Sequence, residues 1–202
     1  MDIRFILQNP FIYKFFSSLV GQGPARKVYV NDYFKVSAGD RILDIGCGPA
    51  DILHYLPAGV EYTGFDMSQR YIDDAGKEFG SRGTFICDVL NASIVENMEP
   101  FDLVVAIGVV HHLDDTEAAS LFRISSQALN PGGRLVTVDP VFFKGQTRFE
   151  HLLVSRDRGE YVRYPEQYLN LAGGVFSNVN DSIRSNLLRM PWSLMFMECT
   201  KM

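Results

Sequence analysis

Three predicted strands each end in an aspartate, and a glycine-rich turn follows the first of them. The residues concerned are Asp44, Asp66 and Asp88, with Gly46, Cys47 and Gly48 in the turn. Ligands of doubly wound parallel sheets bind beyond the carboxyl ends of the strands. We therefore expect these carboxylates and the turn to share one edge of a sheet and to bind a ligand there.

The turn differs from the loop that binds dinucleotides. That loop reads G-x-G-x-x-G and faces a pyrophosphate with backbone amides and a helix N-terminus. Here Ala50 and Asp51 follow Pro49, so the third glycine is missing, and Asp44 would repel a pyrophosphate. These features disfavour a nicotinamide-dependent oxidoreductase. They suit a cationic ligand without phosphate, a description that S-adenosylmethionine meets with its sulfonium and ammonium groups.

The acidic strand ends predict how such a ligand is held. Asp66 lies 22 residues after Asp44, where a carboxylate accepts hydrogen bonds from both ribose hydroxyls. Met67 is predicted to lie over an adenine face, and Asp88 to accept a hydrogen bond from the adenine amino group. The alternatives are that Met67 belongs to the core and that Asp88 caps a helix.

Short apolar runs alternate with helical stretches along the middle of the chain. The predicted strands are Arg41–Ile45, Glu61–Asp66, 84–88, Phe101–Ile107 and 134–139, and the predicted helices are 68–79 and 116–129. Near-continuous apolar runs are typical of strands buried on both faces of a parallel sheet. The alternation predicts right-handed crossovers and an α/β fold with a doubly wound sheet.

The pattern changes after Pro140. Residues 141–174 are interpreted as an insertion with helical content, including a helix over 165–172. Strands over 179–188 and 192–200 follow, joined by Arg189-Met190-Pro191. Because so short a connection favours an antiparallel hairpin, we expect a parallel sheet with one antiparallel strand near its end.

Residues 1–36 lie outside the strand pattern. An apolar stripe at helical spacing predicts an amphipathic helix there. The stripe consists of Phe11, Ile12, Phe15, Phe16 and Val20. We interpret this segment as a helical cover on the sheet edge or over the ligand, with a partner or dimer contact as the alternative. Tyr13 and Arg26 are candidates for contacting a carboxylate of the ligand.

Composition narrows the class of protein. With 202 residues, 47% of them hydrophobic, the chain is expected to form a single domain over 1–202. A net charge of −5 argues against a nucleic-acid partner. We expect neither a secretory leader nor a membrane span, since no run approaches about 18–20 apolar residues. The 3 scattered cysteines predict a reducing, cytoplasmic location.

Five segments carry motifs that resemble those of class I S-adenosylmethionine-dependent methyltransferases of the small-molecule type. They are LDIGCGPAD at 43–51, GFDMS at 64–68, CDV at 87–89, FDLVVAIGVVHHL at 101–113 and LNPGGRL at 129–135. The resemblance implies S-adenosylmethionine as cofactor and a Rossmann-like seven-stranded sheet, order 3-2-1-4-5-7-6, with strand 7 antiparallel. It also implies that Ile107 and Gly108 lie near the methionine part of the cofactor. Cys47 and Val89 fall within the matching motifs, whereas Ala50 stands where the family often has a third glycine.

Candidate catalytic residues follow the fourth and fifth strands. Because an imidazole titrates near neutral pH, His111 is a candidate base for a hydroxyl acceptor, and Asp139 is a similar candidate. The alternatives are that His111 packs structurally and that Asp139 forms the turn before Pro140. His112 is a weaker candidate, and adjacent histidines are expected to point apart, so we expect no metal site.

The predicted organisation is a cover over 1–36, a cofactor-binding core over 40–140, an acceptor-side insertion over 141–174 and C-terminal strands over 175–202. Five basic residues in the insertion leave two interpretations open, a lid for an anionic small-molecule acceptor or a solvated helix with local ion pairs. They are Lys144, Arg148, Arg156, Arg158 and Arg163. Tyr161, Tyr164 and Tyr168 either line the pocket or anchor the segment. The predicted reaction is methyl transfer by in-line displacement, and the alternative is a non-catalytic binding subunit with this fold.

Overall fold

Seven strands form one mixed sheet in a computed structural model that describes residues 22–202. The strands are β1 (Arg41–Ile45), β2 (Glu61–Asp66), β3 (Gly83–Cys87), β4 (Phe101–Ile107), β5 (Leu129–Pro140), β6 (Asn178–Arg184) and β7 (Leu194–Thr200). Their order is β3-β2-β1-β4-β5-β7-β6. β7 pairs antiparallel with both β5 and β6, and the other pairs of strands are parallel, so β7 runs opposite to the other six. The predicted Rossmann-like architecture and strand order are confirmed.

Helices cover both faces of this sheet. They are α1 (Gln22–Val28), α2 (Gln69–Phe79), α3 (Ala92–Val95), α4 (Asp115–Ala128), α5 (Arg148–Val154) and α6 (Pro165–Gly173). The two longest begin at side-chain caps. Ser68 accepts from the N–H of Tyr71, and Asp114 forms a reciprocal capping box with Glu117. The predicted boundaries of these two helices are therefore correct to within one residue.

Strand pairing brings the carboxyl ends of the central strands together. Asp44 of β1 pairs in register with Gly64 of β2 on one side and with Val105 of β4 on the other. The apolar side chains of β4 are buried in cores on both faces of the sheet. Polar groups that act on a ligand are consequently displaced to the strand ends, as the sequence pattern indicates.

Residues 22–34 pack on one face of the sheet. After α1 the chain continues as a π-helical segment, Tyr29–Phe34, whose apolar side chains are buried. The ring of Tyr33 stacks on that of Phe196 in β7 at a centroid distance of 4.0 Å, and Arg134 donates to the carbonyl of Tyr33. The predicted apolar stripe over residues 11–20 and the candidate Tyr13 lie outside the described residues.

The connection after β1 is tighter than in a typical crossover. A short 3-10 turn, Asp51–His54, takes the place of an α-helix between β1 and β2. Ala50 enters it with φ 56°, in the left-handed region. A side chain there costs roughly 1–2 kcal/mol. This geometry explains why a glycine suits this position, where the sequence has an alanine.

The last two strands depart from the predicted hairpin. They are joined by residues 185–193 rather than by a three-residue turn, because β6 ends at Arg184 and β7 begins at Leu194. Leu187, Leu188 and Trp192 pack partly against the core. Their apolar pattern reflects this packing rather than strand structure. The antiparallel orientation was predicted correctly.

Arg163 fastens the insertion to the body of the domain. It is 5% exposed, and its guanidinium donates to the carbonyls of Val110, Leu113 and Tyr161 at 2.7–3.0 Å. It also pairs with Asp115 at 2.8 Å. On the same segment, the hydroxyl of Tyr168 donates to the carbonyl of Pro140.

In the described part of the chain, no helix combines the length and apolar character needed to cross a lipid bilayer.

Replacement of Arg163 by lysine should lower the free energy of unfolding by about 2–4 kcal/mol. A single ammonium group cannot reproduce the fork of a guanidinium, so buried carbonyls lose their donors. Urea denaturation measures the change. Arg156→Lys, at an exposed position of the same segment, is the matched control and should change stability by less than about 0.5 kcal/mol. Equal stability of the two variants would contradict the anchoring role.

Candidate functional site

Asp66 holds the glycine-rich turn against the end of β2. Its Oδ2 accepts from the N–H of Gly48 at 2.9 Å, and its Oδ1 accepts from the N–H of Ser68 at 2.8 Å. The N–H groups of Gly46 and Cys47 donate to the carbonyl of Phe65. Asp66 thus has a structural role that the sequence pattern did not reveal, in addition to its position at the ligand-binding edge.

The turn presents bare backbone towards this edge. Gly48 has φ 55°, and a methyl group added at its Cα would meet no atom within 4 Å. Gly46 has φ 73°, and the same addition would clash with the Val109 side chain at 2.6 Å. Gly108, at the end of β4, also has a positive φ of 67°. Positive φ and open space allow a ligand to approach the backbone closely at Gly48.

Asp44 lies beneath this turn and is 2% exposed. Burial raises the pKa of its carboxyl group to about 7, although the hydroxyl of Tyr62, which donates to Oδ2 at 2.6 Å, favours the ionised form. The negative charge of Asp66 also raises this pKa, and the positive charge of Arg26 lowers it. Arg26 itself pairs with Asp51 at 3.3 Å, and this pairing brings α1 against the turn.

The adenine-side candidates are exposed beside the turn. Met67 is 77% and Val89 is 56% exposed, so Met67 is not a core residue. The carboxylate of Asp88 accepts from the N–H of Val89 at 2.7 Å. Ile107 and Gly108 end β4, and the Gly108 N–H donates to the carbonyl of Val138. All these residues lie at the carboxyl edge, and their cofactor contacts stay a prediction.

His111 is held between two carboxylates. Its Nδ1 lies 2.8 Å from Oδ1 of Asp139 at the end of β5, and its Nε2 lies 3.1 Å from Oδ1 of Asp157 in the insertion. A methyl group at Gly108 would lie 3.6 Å from Cε1 of His111. The imidazole is therefore next to the end of β4. The sequence pattern identified His111 and Asp139 but not Asp157.

The two carboxylates govern the charge of His111. Burial opposes the charge, but the hydrogen bonds to Asp139 and Asp157 outweigh it and raise the pKa of His111 to about 9. Burial likewise disfavours the charge on Asp157, yet its contacts with His111 and the Gly159 N–H leave its pKa lowered. At neutral pH the group is an imidazolium between two carboxylates.

The ring of the second histidine lies beside that of the first, tilted by 39°. The ring centroids of His111 and His112 are 4.1 Å apart, so the expectation that adjacent histidines point apart is wrong. Both belong to one short 3-10 turn, Val110–His112. Burial and the neighbouring charge of His111 lower the pKa of His112.

Residues 155–161 lie across His111. The N–H of Tyr161 donates to the carbonyl of His111 at 3.0 Å, and a side chain at Gly159 would overlap the imidazole ring. Asp157 is fixed by accepting from the Gly159 N–H at 2.8 Å. The insertion thus covers His111 on its Nε2 side.

The basic residues of the insertion divide between two environments. Arg163 is committed to backbone carbonyls and Asp115, so it is not available to an anion, whereas Arg156 and Arg158 are exposed. Tyr168 is buried and anchors the segment, while Tyr161 and Tyr164 are 40% and 49% exposed. Arg163 fits neither interpretation, since it is buried and bonded to the body of the domain, and recognition of an anionic acceptor by the exposed residues stays a prediction.

One cluster of metal-ligating groups is present near α1. Ligand atoms of Asp51, His54 and Glu78 lie within 4.8 Å of one another. His54 is paired with Glu78 at 2.8 Å, and Asp51 with Arg26. The positive charge of Arg26 opposes a cation at this place.

At the amino ends of the strands, Asp102 accepts from the backbone N–H of Arg41 and from the side chain of Asn130. It therefore stabilises the edge opposite the site.

The cysteines Cys47, Cys87 and Cys199 are all free. A cytoplasmic location stays a prediction.

The middle of the chain matches a known family. Residues 43–135 match a family model described as a methyltransferase domain. The ubiquinone biosynthesis O-methyltransferase of Proteus mirabilis is 27% identical over 116 residues, which are 55% of this chain and 46% of that protein. The chain spans just under half the length of the curated relatives it matches. The family resemblance predicted from the motifs is confirmed over residues 43–135, and the activity of this chain stays a prediction.

Solved structures share the fold. Phosphoethanolamine N-methyltransferase 2 of Haemonchus contortus, solved with phosphomonomethylethanolamine and S-adenosylhomocysteine, has a TM-score of 0.67 at 19% identity, covering 87% of this chain and 52% of that chain. The cyclase SpnF has a TM-score of 0.66 at 15% identity, covering 87% and 80%. Because these neighbours differ in reaction, the acceptor must be argued from the site.

The pairing of His111 with Asp157 should make stability depend on pH. The folded pKa of His111, about 9, exceeds its unfolded value of 6.5. Protonation therefore stabilises the folded state fully below pH 6.5, and this contribution is lost as pH rises towards 9. Asp157→Asn should lower the free energy of unfolding by about 1–2 kcal/mol at pH 6.

The difference between wild type and Asp157→Asn should shrink towards pH 9.5, where His111 is neutral in both proteins. Urea denaturation at a series of pH values measures it. A difference of the same size at both ends of the series would show that the imidazolium is not the partner of Asp157.

Proposed function

We propose that this chain, a class I S-adenosylmethionine-dependent methyltransferase, transfers a methyl group to a hydroxyl of a small molecule, with His111 as the base. The observation that carries this proposal is the contact between His111 Nδ1 and Asp139 Oδ1 at 2.8 Å, at the carboxyl edge beside Gly108. A base whose second nitrogen is oriented by a buried carboxylate is the arrangement that activates hydroxyl groups in enzymes.

The residues of the turn fit the cofactor. S-adenosylmethionine supplies a methyl group already activated on a sulfonium. Gly48 offers open backbone, and Asp44 offers a carboxylate to the ammonium group. The carboxylate of Asp66 retains lone pairs for the ribose hydroxyls beyond its two bonds to the backbone. Met67 and Val89, exposed on one side of the turn, would bound the adenine.

The protein's own contribution is alignment, exclusion of water and removal of one proton. The first two follow from the covered position of His111 beneath residues 155–161. The third requires Nε2 to face the acceptor hydroxyl. Asp157 faces that nitrogen at 3.1 Å, so the acceptor must take its place.

Displacement of Asp157 also prepares the base. With Asp157 in place, His111 is protonated at neutral pH and has no proton-accepting capacity. Loss of one flanking carboxylate lowers the pKa of His111, because an opposite charge that favours the imidazolium is removed, and the Nε2 proton is released to solvent before the hydroxyl is bound. Asp139 remains on Nδ1 and fixes the ring so that Nε2 accepts the proton of the hydroxyl.

Two further considerations support an oxygen acceptor. The curated relatives are named O-methyltransferases. An amine acceptor carries its own nucleophilic lone pair once neutral, and it does not need a buried histidine with an orienting carboxylate. A small-molecule acceptor fits an edge covered by a short insertion, and the exposed Arg156 and Arg158 favour one that carries negative charge.

Removal of the Asp66 carboxylate should weaken cofactor binding. Asp66→Ala should reduce the affinity for S-adenosylhomocysteine by about 1–3 kcal/mol, because hydrogen bonds to the ribose and to the turn are lost together. Isothermal titration gives the dissociation constant. Asp73→Ala, on the exposed face of α2, serves as the control. An unchanged dissociation constant in Asp66→Ala would mean that the ribose lies elsewhere.

Loss of the base should lower turnover and leave cofactor binding intact. Catechol and 3,4-dihydroxybenzoate are suitable hydroxyl probes, and aniline and phosphoethanolamine are amine probes, with formation of S-adenosylhomocysteine as the readout. His111→Gln should reduce turnover of the hydroxyl probes by about 100-fold or more. His112→Gln, on the neighbouring ring, should reduce it far less. Methylation of amine probes alone, or full activity of His111→Gln, would contradict the proposal.

A further inference from the structure

A buried tyrosine on β2 serves the carboxylate beneath the glycine-rich turn. Tyr62 is 3% exposed and Asp44 is 2% exposed, and the hydroxyl of Tyr62 donates to Oδ2 of Asp44 at 2.6 Å. The two residues come from adjacent strands, since Tyr62 lies opposite Ile42 in the β1–β2 register. This contact therefore joins the two strands whose ends carry the turn and Asp66.

The space for this contact depends on Gly64. A methyl group at Gly64 would lie 2.7 Å from Sγ of Cys47 and 3.1 Å from the Tyr62 ring. The absence of a side chain there allows the tyrosine, the thiol and Asp44 to pack beneath the turn. The other side of the Tyr62 ring faces Phe85, with centroids 6.0 Å apart.

Among the described residues, the charges of Asp66 and Arg26 act on Asp44 in addition to the neutral hydroxyl of Tyr62. Asp66 follows on β2, and Arg26 approaches from α1, where it is paired with Asp51. Cys47 lies in the turn, and burial raises the pKa of its thiol, so it remains uncharged. Within residues 22–202, the hydroxyl of Tyr62 is the one side-chain hydrogen-bond donor assigned to this carboxylate.

We propose that Tyr62 is a positioning residue for the cofactor. Its hydroxyl favours the ionised form of Asp44, and this carboxylate receives the ammonium group of the cofactor. The inference rests on the placement of the cofactor in the proposed function, and it is independent of the acceptor and of His111. A protonated Asp44 presents no charge to an ammonium group. Below neutral pH, binding of the cofactor should therefore release the proton of the Asp44 carboxyl group.

The sign of the effect follows from the balance around Asp44. Burial raises the pKa of Asp44 and the hydrogen bond from Tyr62 lowers it, to a net value of about 7. Affinity should therefore rise with pH through this value. Loss of the hydroxyl removes the group that favours the charge, so the rise should move to higher pH.

The experiment is isothermal titration of the purified protein with S-adenosylhomocysteine between pH 6 and 8.5. The wild-type protein should bind about 10-fold more weakly at pH 6 than at pH 8. Titrations at pH 6.5 in buffers of different ionisation enthalpy should show release of between about half a proton and one proton per bound ligand.

Tyr62→Phe keeps the ring and removes the hydroxyl. Its dissociation constant should be about 10-fold weaker than that of wild type at pH 6, with a midpoint about one pH unit higher. The two proteins should differ by less than about twofold at pH 8.5. Tyr33→Phe is the matched control, since its hydroxyl bonds Ser182 at 2.9 Å and is not assigned to Asp44. Its pH profile should follow that of wild type.

Three outcomes would overturn the inference. They are an unchanged midpoint in Tyr62→Phe, a loss of affinity of equal size at every pH, which indicates packing alone, and no proton release by the wild-type protein. The proton-release measurement needs no variant and holds even if Tyr62→Phe unfolds, which thermal melting detects. Failure of the wild-type protein to bind S-adenosylhomocysteine at any pH would instead contradict the cofactor site of the proposed function.

Discussion

Burial of the central strands on both faces is the constraint on which the site depends. Within β4, Val104, Val105 and Ala106 are fully buried, so no polar group of this strand can act on a ligand before the strand ends. Parallel pairing of β1, β2, β4 and β5 then brings their carboxyl ends to one edge. The chemistry of the protein is thereby concentrated on a few residues that follow each strand.

Charged contacts at that edge serve two purposes at once. Asp66 fixes the turn and lies at the edge where the ligand is proposed to bind, and Asp44 is held by Tyr62 beneath the same turn. His111 joins β5 to the insertion through Asp139 and Asp157. Each of these groups stabilises the fold before a ligand arrives. In the proposed function the acceptor exchanges the contact of His111 with Asp157 for a new one, and this exchange couples acceptor binding to protonation.

Much of this arrangement was predictable from local patterns. The strands β1, β2 and β4, the caps of α2 and α4 and the acidic strand ends each have a signature within a few residues of the chain. The role of Asp157 had no such signature, because it arises from a contact with His111 between segments far apart in sequence. The same holds for Tyr62 and for Arg163, whose burial depends on packing that residue type alone does not reveal.

Other differences came from tertiary packing that overrides a local pattern. The sequence pattern predicts strand structure for Leu187, Leu188 and Trp192. They lie instead in the connection between β6 and β7, where they pack partly against the core. Ala50 takes a left-handed conformation that its residue type disfavours. The rings of His111 and His112 lie side by side within one short 3-10 turn, although adjacent side chains were expected to point apart. These departures cluster around the site, where packing and function compete with local preference.

A crystal structure of the protein with bound S-adenosylhomocysteine tests the central claim most directly. The account predicts that both ribose hydroxyls lie within about 3.2 Å of the Asp66 carboxylate, that the ammonium group faces Asp44, and that the sulfur points towards His111 beside Gly108. A ligand bound at another edge of the sheet, or one whose ribose does not contact Asp66, would contradict it.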